Sequence, residues 1–312
     1  MIHNRFVHIF FMDGVGLGPS DPTINPFARA RTPNLDALLG RDDWFRAGNG
    51  QINAQRATLA PTDATLGVPG RPQSATGQAT ILTGRNVPQL VGEHFGPKPN
   101  AAVAEVIRQG TLFKDVAEAG GRAALITPYP QGYFDAIASG KRLYSAVPLA
   151  VVQAGWPLFT IDELRQGRAV SPDFSNAGWR EFLKQDDLEL LAPYEAGRRI
   201  AAVAQAYDFS FFEHWPSDRS GHRGSLVHAA EHIEKIDAAL GGLLAAWPEE
   251  RGLLIITSDH GNIEEKDHRL HTRNPVPTIV VGPDHSGLAA RIWDLSDIAA
   301  VVRSFLGLKK RV

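Results

Sequence analysis

The stretch Gly252-Leu253-Leu254-Ile255-Ile256-Thr257-Ser258-Asp259-His260-Gly261-Asn262 decides the fold. A short apolar run without polar alternation marks a strand buried on both faces, as in a parallel sheet covered by helices. The run delivers an adjacent carboxylate and imidazole to its carboxyl end, and open α/β sheets bind ligands in the crevice outside such ends. Both side chains are ligands for divalent metals. An enzyme built on metal chemistry is therefore the leading expectation.

Similar apolar runs recur outward from this point, at Phe6 to Met12, Ala123 to Thr127, Phe209 to Glu213 and Thr278 to Val281, with helical patterns between them. The alternation predicts an α/β fold, a mostly parallel central sheet with helices on both faces. Thr32-Pro33 opens a helix that Gly40 closes, and Gly120-Gly121 ends the pattern beginning at Leu112. Leu226, Ala230, Ile233, Asp237, Leu240 and Leu244 trace a long amphipathic helix that stops at Trp247-Pro248. Residues 128–193 break the rhythm with scattered Pro, Gly, Tyr and Trp, which predicts a small inserted, lid-like region. The catalytic core then falls in two parts, 1–127 and 194–312.

The 312 residues carry a formal net charge of -2 and no cysteine. Balanced charge without a basic patch argues against nucleic acid as a partner and for a small, anionic ligand. Without thiolates, any metal is held by His, Asp, Glu or hydroxyl oxygen. No window approaches the ~18 apolar residues of a membrane span. The apolar run after Met1 to Arg5 leads into Asp13 and a Gly-rich loop where a signal peptide would show a cleavage site, so it reads as a first strand and the protein as cytoplasmic, with no membrane partner.

Asp13 ends that strand and is followed by Gly14-Val15-Gly16-Leu17-Gly18. The third glycine is misplaced for a dinucleotide fingerprint, and Pro19-Ser20-Asp21-Pro22 stands where that motif opens a helix. The alternatives are a turn-capping Asp13 and a metal-ligating one that the backbone passes closely. Ser74, in Pro72-Gln73-Ser74-Ala75-Thr76-Gly77-Gln78, stands where a loop enters a helix. A serine there is ordinarily a cap; it is also placed to be a nucleophile at the positive end of a helix dipole, with a metal lowering its hydroxyl pKa. Asp218 and His222, four apart, face one metal, and His271 completes a one-carboxylate, two-imidazole set. Asp13, Asp259, His260 and the Ser74 oxygen make a second.

The order Asp13, Ser74, Asp218-x3-His222, Asp259-His260-Gly261-Asn262 and His271-Thr272 resembles the alkaline phosphatase superfamily, and within it the cofactor-independent phosphoglycerate mutase and phosphopentomutase branch. The resemblance also covers Thr32-Pro33-Asn34-Leu35-Asp36 and His271 to Pro277. It implies an alkaline phosphatase-like fold and two divalent ions, Mn²⁺ or Zn²⁺. Asp218, His222 and His271 would bind one ion; Asp13, Ser74, Asp259 and His260 would bind the other, with Ser74 the residue that becomes phosphorylated. Gly77-Gln78 departs from the Gly-His pair of the mutases, and residues 128–193 are short beside the domain that encloses a mutase substrate. The reading is therefore a phosphohydrolase or phosphotransferase acting on a small phosphorylated substrate through a phosphoserine. The alternatives are a phosphomutase and a non-catalytic metal-binding relative.

Arg85, Asn86, His94 and Arg273 are the candidate substrate contacts, each with a solvent-facing or ion-paired alternative. His228 and His232 read as a solvated helix face. His214, His268 and His285 lack partner spacing and read as surface or structural residues.

Overall fold

The computed structural model describes residues 4–309, so residues 1–3 and 310–312 of the expected core segments lie outside the described residues. Seven strands form one sheet: β1 (Phe6–Met12), β2 (Ile52–Asn53), β3 (Ala57–Thr62), β4 (Ala123–Leu125), β5 (Phe209–His214), β6 (Gly252–Thr257) and β7 (Val276–Val281), in the order β2-β3-β7-β6-β1-β5-β4. The central strands β6, β1, β5 and β4 are parallel, as their continuous apolar runs predict. β7 runs antiparallel to β6, and β3 and β2 continue antiparallel beyond it. The expected parallel order thus holds for the centre of the sheet, while the edge beyond β6 reverses. The chain returns from β6 through the loop 258–275 without a crossover helix, and a direct return of that kind gives an antiparallel neighbour.

Side chains of β1 alternate between two apolar layers. Phe6, Phe10 and Met12 join one, and Val7, Ile9 and Phe11 the other. The first layer is covered by α10 (Pro193–Ala204) and α12 (Leu226–Ala245), the second by α2 (Ser74–Thr83), α7 (Ala146–Gln153) and α14 (Asp297–Leu306). α1 (Pro33–Leu39) closes on Gly40 in the left-handed region, as the sequence predicts.

Within residues 128–193, Ala146, Val147, Ala150 and Val151 of α7 are fully buried in the second layer. Phe159, Val170 and Phe174 pack in the first, and Val170 N donates to Ile126 O just beyond β4. These parts of the segment belong to the walls of the core. Among the described residues no helix is long and apolar enough to cross a membrane.

Candidate metal centre

Every predicted metal ligand stands beyond the carboxyl ends of the parallel strands. Asp13 follows β1, and Asp259 and His260 follow β6. Asp218 and His222 lie on α11 (Pro216–Arg223), directly after β5, and His271 is on the loop before β7. Ser74 opens α2. Gln73 is the residue at the cap position, and Ser74 sits in the first turn with its Oγ 3.0 Å from His260 Nε2, which sets the capping alternative aside.

The ligand atoms fall into two groups that share His260: Asp13, Asp259 and His260, and Asp218, His260 and His271, each with its ligating atoms within 4.8 Å of one another. His260 Nε2 is 3.4 Å from Asp13 Oδ1 and 3.7 Å from Asp259 Oδ2. Asp218 Oδ2 is 3.4 Å from His222 Nε2, and Asp218 Oδ1 is 3.7 Å from His271 Nε2. The His260 and His271 rings stack with centroids 3.7 Å apart.

Backbone carbonyls fix the tautomers. His222 Nδ1 is 2.8 Å from Arg269 O and His271 Nδ1 is 2.8 Å from Pro72 O, and His260 Nδ1 faces Gly261 O at 3.4 Å. A carbonyl only accepts, so each Nδ1 carries a proton; the neutral rings of His260 and His271 present lone pairs at Nε2, while the Asp218 carboxylate beside His222 Nε2 raises the His222 pKa. The Nε2 atoms of His222 and His271 then face each other at 3.2 Å. The buried Asp13 Oδ1 lacks any hydrogen-bond partner and faces the crowded carboxylate and imidazole atoms around it, an arrangement that a cation would satisfy. The residues fit divalent ions.

The electrostatics agree. Burial, with the charges of Asp259, Asp218 and Glu213, holds the Asp13 carboxyl well above its usual range. Burial and the Asp218 charge push Asp259 up to about 7. Burial brings His260 down to about 4, and burial with His260 does the same to His271, so both stay neutral. Burial also opposes ionisation of Asp218, but the His222 and His260 imidazoles and the Asn262 amide outweigh it and set Asp218 at about 2. Carboxylates crowded in this way are uncomfortable until a cation joins them.

Neighbouring residues hold the ligands in place. Gln78 Nε2 donates to Asp259 Oδ2 at 3.1 Å and to Asp13 Oδ2 at 3.5 Å. Asn262 Nδ2 donates to Asp218 Oδ1 at 2.7 Å. Glu264 is fully buried and accepts from Gly16 N at 3.0 Å, Asn262 N at 2.8 Å and Asn274 Nδ2 at 3.0 Å, and from Thr272 Oγ1. It ties the glycine loop to both ends of the loop 258–275, which carries Asp259, His260 and His271. The glycines are explained by this crowding: Gly14 has φ +69 and a Cβ there would fall 2.7 Å from Asp218 Oδ1, while one at Gly16 would collide with Glu264. No helix opens after them, so the dinucleotide alternative fails.

The candidate substrate contacts separate from this centre. Arg85 and Asn86 follow the far end of α2, about 16 Å along the helix from Ser74. Arg85 Nη1 donates to Gln109 Oε1, and Asn86 caps α3 (Val87–Val91) and bonds Leu66 O. His94 Nε2 is 3.1 Å from Thr65 O, and Arg273 Nε donates to Gly70 O at 2.8 Å, so both brace the loop that precedes Ser74. His228 is exposed as expected, but His232 is not solvated. Its Nε2 lies 2.9 Å from His214 Nε2, because the buried stripe of α12 is wide enough to take in this position. Sequence reasoning also gave no role to Glu213, a buried carboxylate ending β5 that accepts from Tyr129 OH at 2.6 Å and is pushed by burial up to about 7. A carboxylate closing an apolar strand at the ligand-bearing edge was the available signal.

Residues 193–310 match the model of the Metalloenzyme superfamily. The chain has an alkaline phosphatase-like fold. A 2,3-bisphosphoglycerate-independent phosphoglycerate mutase of Roseobacter denitrificans is 36% identical over 118 residues, 35% of this chain and 23% of that protein. The Ruegeria pomeroyi mutase is 34% identical over 129 residues, 39% of this chain and 25% of that protein. The chain thus spans about a quarter of the length of the curated relatives it matches. Among solved structures, the alkaline phosphatase from the Antarctic bacterium TAB5 superposes with a TM-score of 0.57 at 12% identity, covering 98% of each chain. A Pyrococcus horikoshii protein gives 0.57 at 15% identity, over 99% of this chain and 98% of that one.

Proposed function

We propose that the protein is a two-metal phosphohydrolase or phosphotransferase that works through phosphoserine at Ser74. The observation that carries this reading is the position of Ser74 Oγ, 3.0 Å from the one imidazole shared by both ligand groups. Asp13, Ser74, Asp259 and His260 would hold one ion, and Asp218, His222 and His271 the other, with Mn²⁺ and Zn²⁺ both suited to mixed carboxylate and imidazole ligands. Bound divalent ions supply charge that lowers the pKa of the serine hydroxyl and offsets the phosphoryl oxygens.

The remaining work falls to the chain. Ser74 Oγ forms the new O–P bond as the ester O–P bond breaks and the alcohol leaves; water then cleaves phospho-Ser74 and releases phosphate. Gln78 and Asn262 keep Asp259, Asp13 and Asp218 in register for both steps. Residues 128–193, read as an insertion between the core parts 1–127 and 194–312, give parts of their length to the walls of the core, which leaves less chain to enclose phospho-Ser74. The second reading, a phosphomutase, draws on the mutases matched over the C-terminal part of the chain, and there a substrate hydroxyl replaces water as acceptor.

A panel of small phosphate esters with Mn²⁺ or Zn²⁺, scoring free phosphate separately from isomerised product, tests both. Phosphate release supports the hydrolase and isomerisation without release supports the mutase. Turnover that survives intact in Ser74→Ala removes the phosphoserine from either.

A further inference from the structure

The flank of α11 turned away from the metal ligands borders a cleft of about 510 Å³. Asp218 and His222 share one face of this helix; Arg219 and Arg223, also four residues apart, lie about 100° around it. The cleft is lined by Arg219, Ser220, Arg223, Ser225, His228 and His232 among others, and by no carboxylate. Among the described residues neither arginine has a carboxylate within ion-pair distance. Glu231 is exposed and lies 4.0 Å from His228 Nδ1 at the rim. Lys266 adds a further cation behind α11, its Nζ donating to Ser220 O at 2.8 Å.

Two more features converge on the same space. The twenty-residue helix α12 begins there, with Ser225 Oγ accepting from His228 N, and the N–H groups of Leu226 and Val227 have no carbonyl partner within the helix. They form the positive end of its dipole. Ser220, only 6% exposed, is one of the residues lining the cleft, and its buried hydroxyl has no hydrogen-bond partner. A buried orphan hydroxyl, a helix N-terminus and two unpaired guanidinium groups share one complementary ligand chemistry.

We propose that this cleft binds a phosphate-type oxyanion, separately from the metal centre and independently of any role for Ser74. The occupant is a free phosphate or the second phosphate of a ligand whose first phosphate reaches the metals.

Calorimetric titration of inorganic phosphate into the chelated protein at low ionic strength isolates the cleft from the metals. The expected result is metal-independent binding that persists in Ser74→Ala. It weakens by about tenfold or more in Arg219→Gln/Arg223→Gln, whose exposed positions leave the melting temperature unchanged. Ser220→Ala weakens it as well. No phosphate binding to chelated wild type, or undiminished binding in the double arginine variant, overturns the proposal. In the Mn²⁺-loaded protein, a bisphosphate that loses its advantage over a monophosphate in the arginine variant identifies a spanning ligand; an unchanged ratio identifies free phosphate.

Discussion

Replacing Asp259 by Asn is expected to change stability in opposite directions with and without metal. In the chelated protein burial and the Asp218 charge hold the Asp259 carboxyl at about 7, well above the ordinary aspartate value of about 3.9. A carboxylate with a raised folded-state pKa costs nothing below its unfolded value; the cost grows as pH rises from about 4 to 7 and is fully present above that. At about 1.4 kcal/mol per pH unit it reaches roughly 4 kcal/mol at pH 8. Asn removes the charge and relieves Asp13, whose pKa the Asp259 charge also raises. It offers one acceptor where Asp259 has two, one for Gln78 Nε2 and one for Gly14 N, so about 1 kcal/mol is returned. The net is stabilisation of roughly 2–3 kcal/mol, a rise of about 4–6 °C in Tm for a domain of this size. With saturating Mn²⁺ the sign reverses, because the variant loses a ligand and with it part of the stabilisation by mass action. Differential scanning fluorimetry at pH 8, with chelator or with Mn²⁺, measures both. A variant less stable than wild type under both conditions refutes the view that Asp259 is a repelled carboxylate awaiting a cation.

Ser74→Ala should abolish acid-stable phosphate incorporation and lower turnover of a generic ester by roughly a thousandfold or more, while bound metal measured by mass spectrometry falls little on the Asp218 side. His271→Ala should reduce bound metal from about two equivalents to about one, since His222 and Asp218 alone are a poor site; two tightly held equivalents in the variant would exclude His271 as a ligand. Gly16→Ala should cost about 1–3 kcal/mol in chemical denaturation, because its Cβ meets the buried Glu264 carboxylate; unchanged stability would mean that Glu264 has room to move.

The centre of the fold was legible because β1, β5 and β6 are buried on both faces and therefore read as unbroken apolar runs. Ile52–Asn53 and Ala57–Thr62 were not, since β3 mixes Thr and Pro with its apolar residues and pairs at the antiparallel edge. The candidate ligand positions were legible where Asp13, Asp259 and His260 directly follow strands and where Asp218 and His222 sit on the helix after one. What holds them was less so: Glu264 acts through contacts that run from Gly16 at one end of the chain to Asn262, Thr272 and Asn274 around it, and no local pattern announces a carboxylate whose partners are two backbone N–H groups and two side chains. Two of the candidate substrate contacts stand away from Ser74 for a related reason. Arg85 and Asn86 are near Ser74 in sequence, but an intervening helix carries them to the opposite end of the molecule's layer.

Charge accounting explains why so acidic a cluster suits an anionic substrate. Asp13, Asp218 and Asp259 would bring three negative charges to bound ions, and the three imidazoles would ligate them as neutral rings whose Nδ1 atoms face backbone carbonyls. Two divalent ions over-compensate by about one positive charge, so the loaded centre attracts a phosphoryl group where the bare ligands repel it. Glu213 sets the balance. With its carboxyl at about 7 and a bond from Tyr129, it is divided between its charged and neutral forms near neutrality, and its ionisation would cancel the residual charge. Replacing Glu213 by Gln should therefore tighten phosphate binding to the metal-loaded protein above pH 7 and leave it unchanged below pH 6. A phosphate affinity that falls at both pH values would assign Glu213 to holding the ligands rather than to tuning their charge.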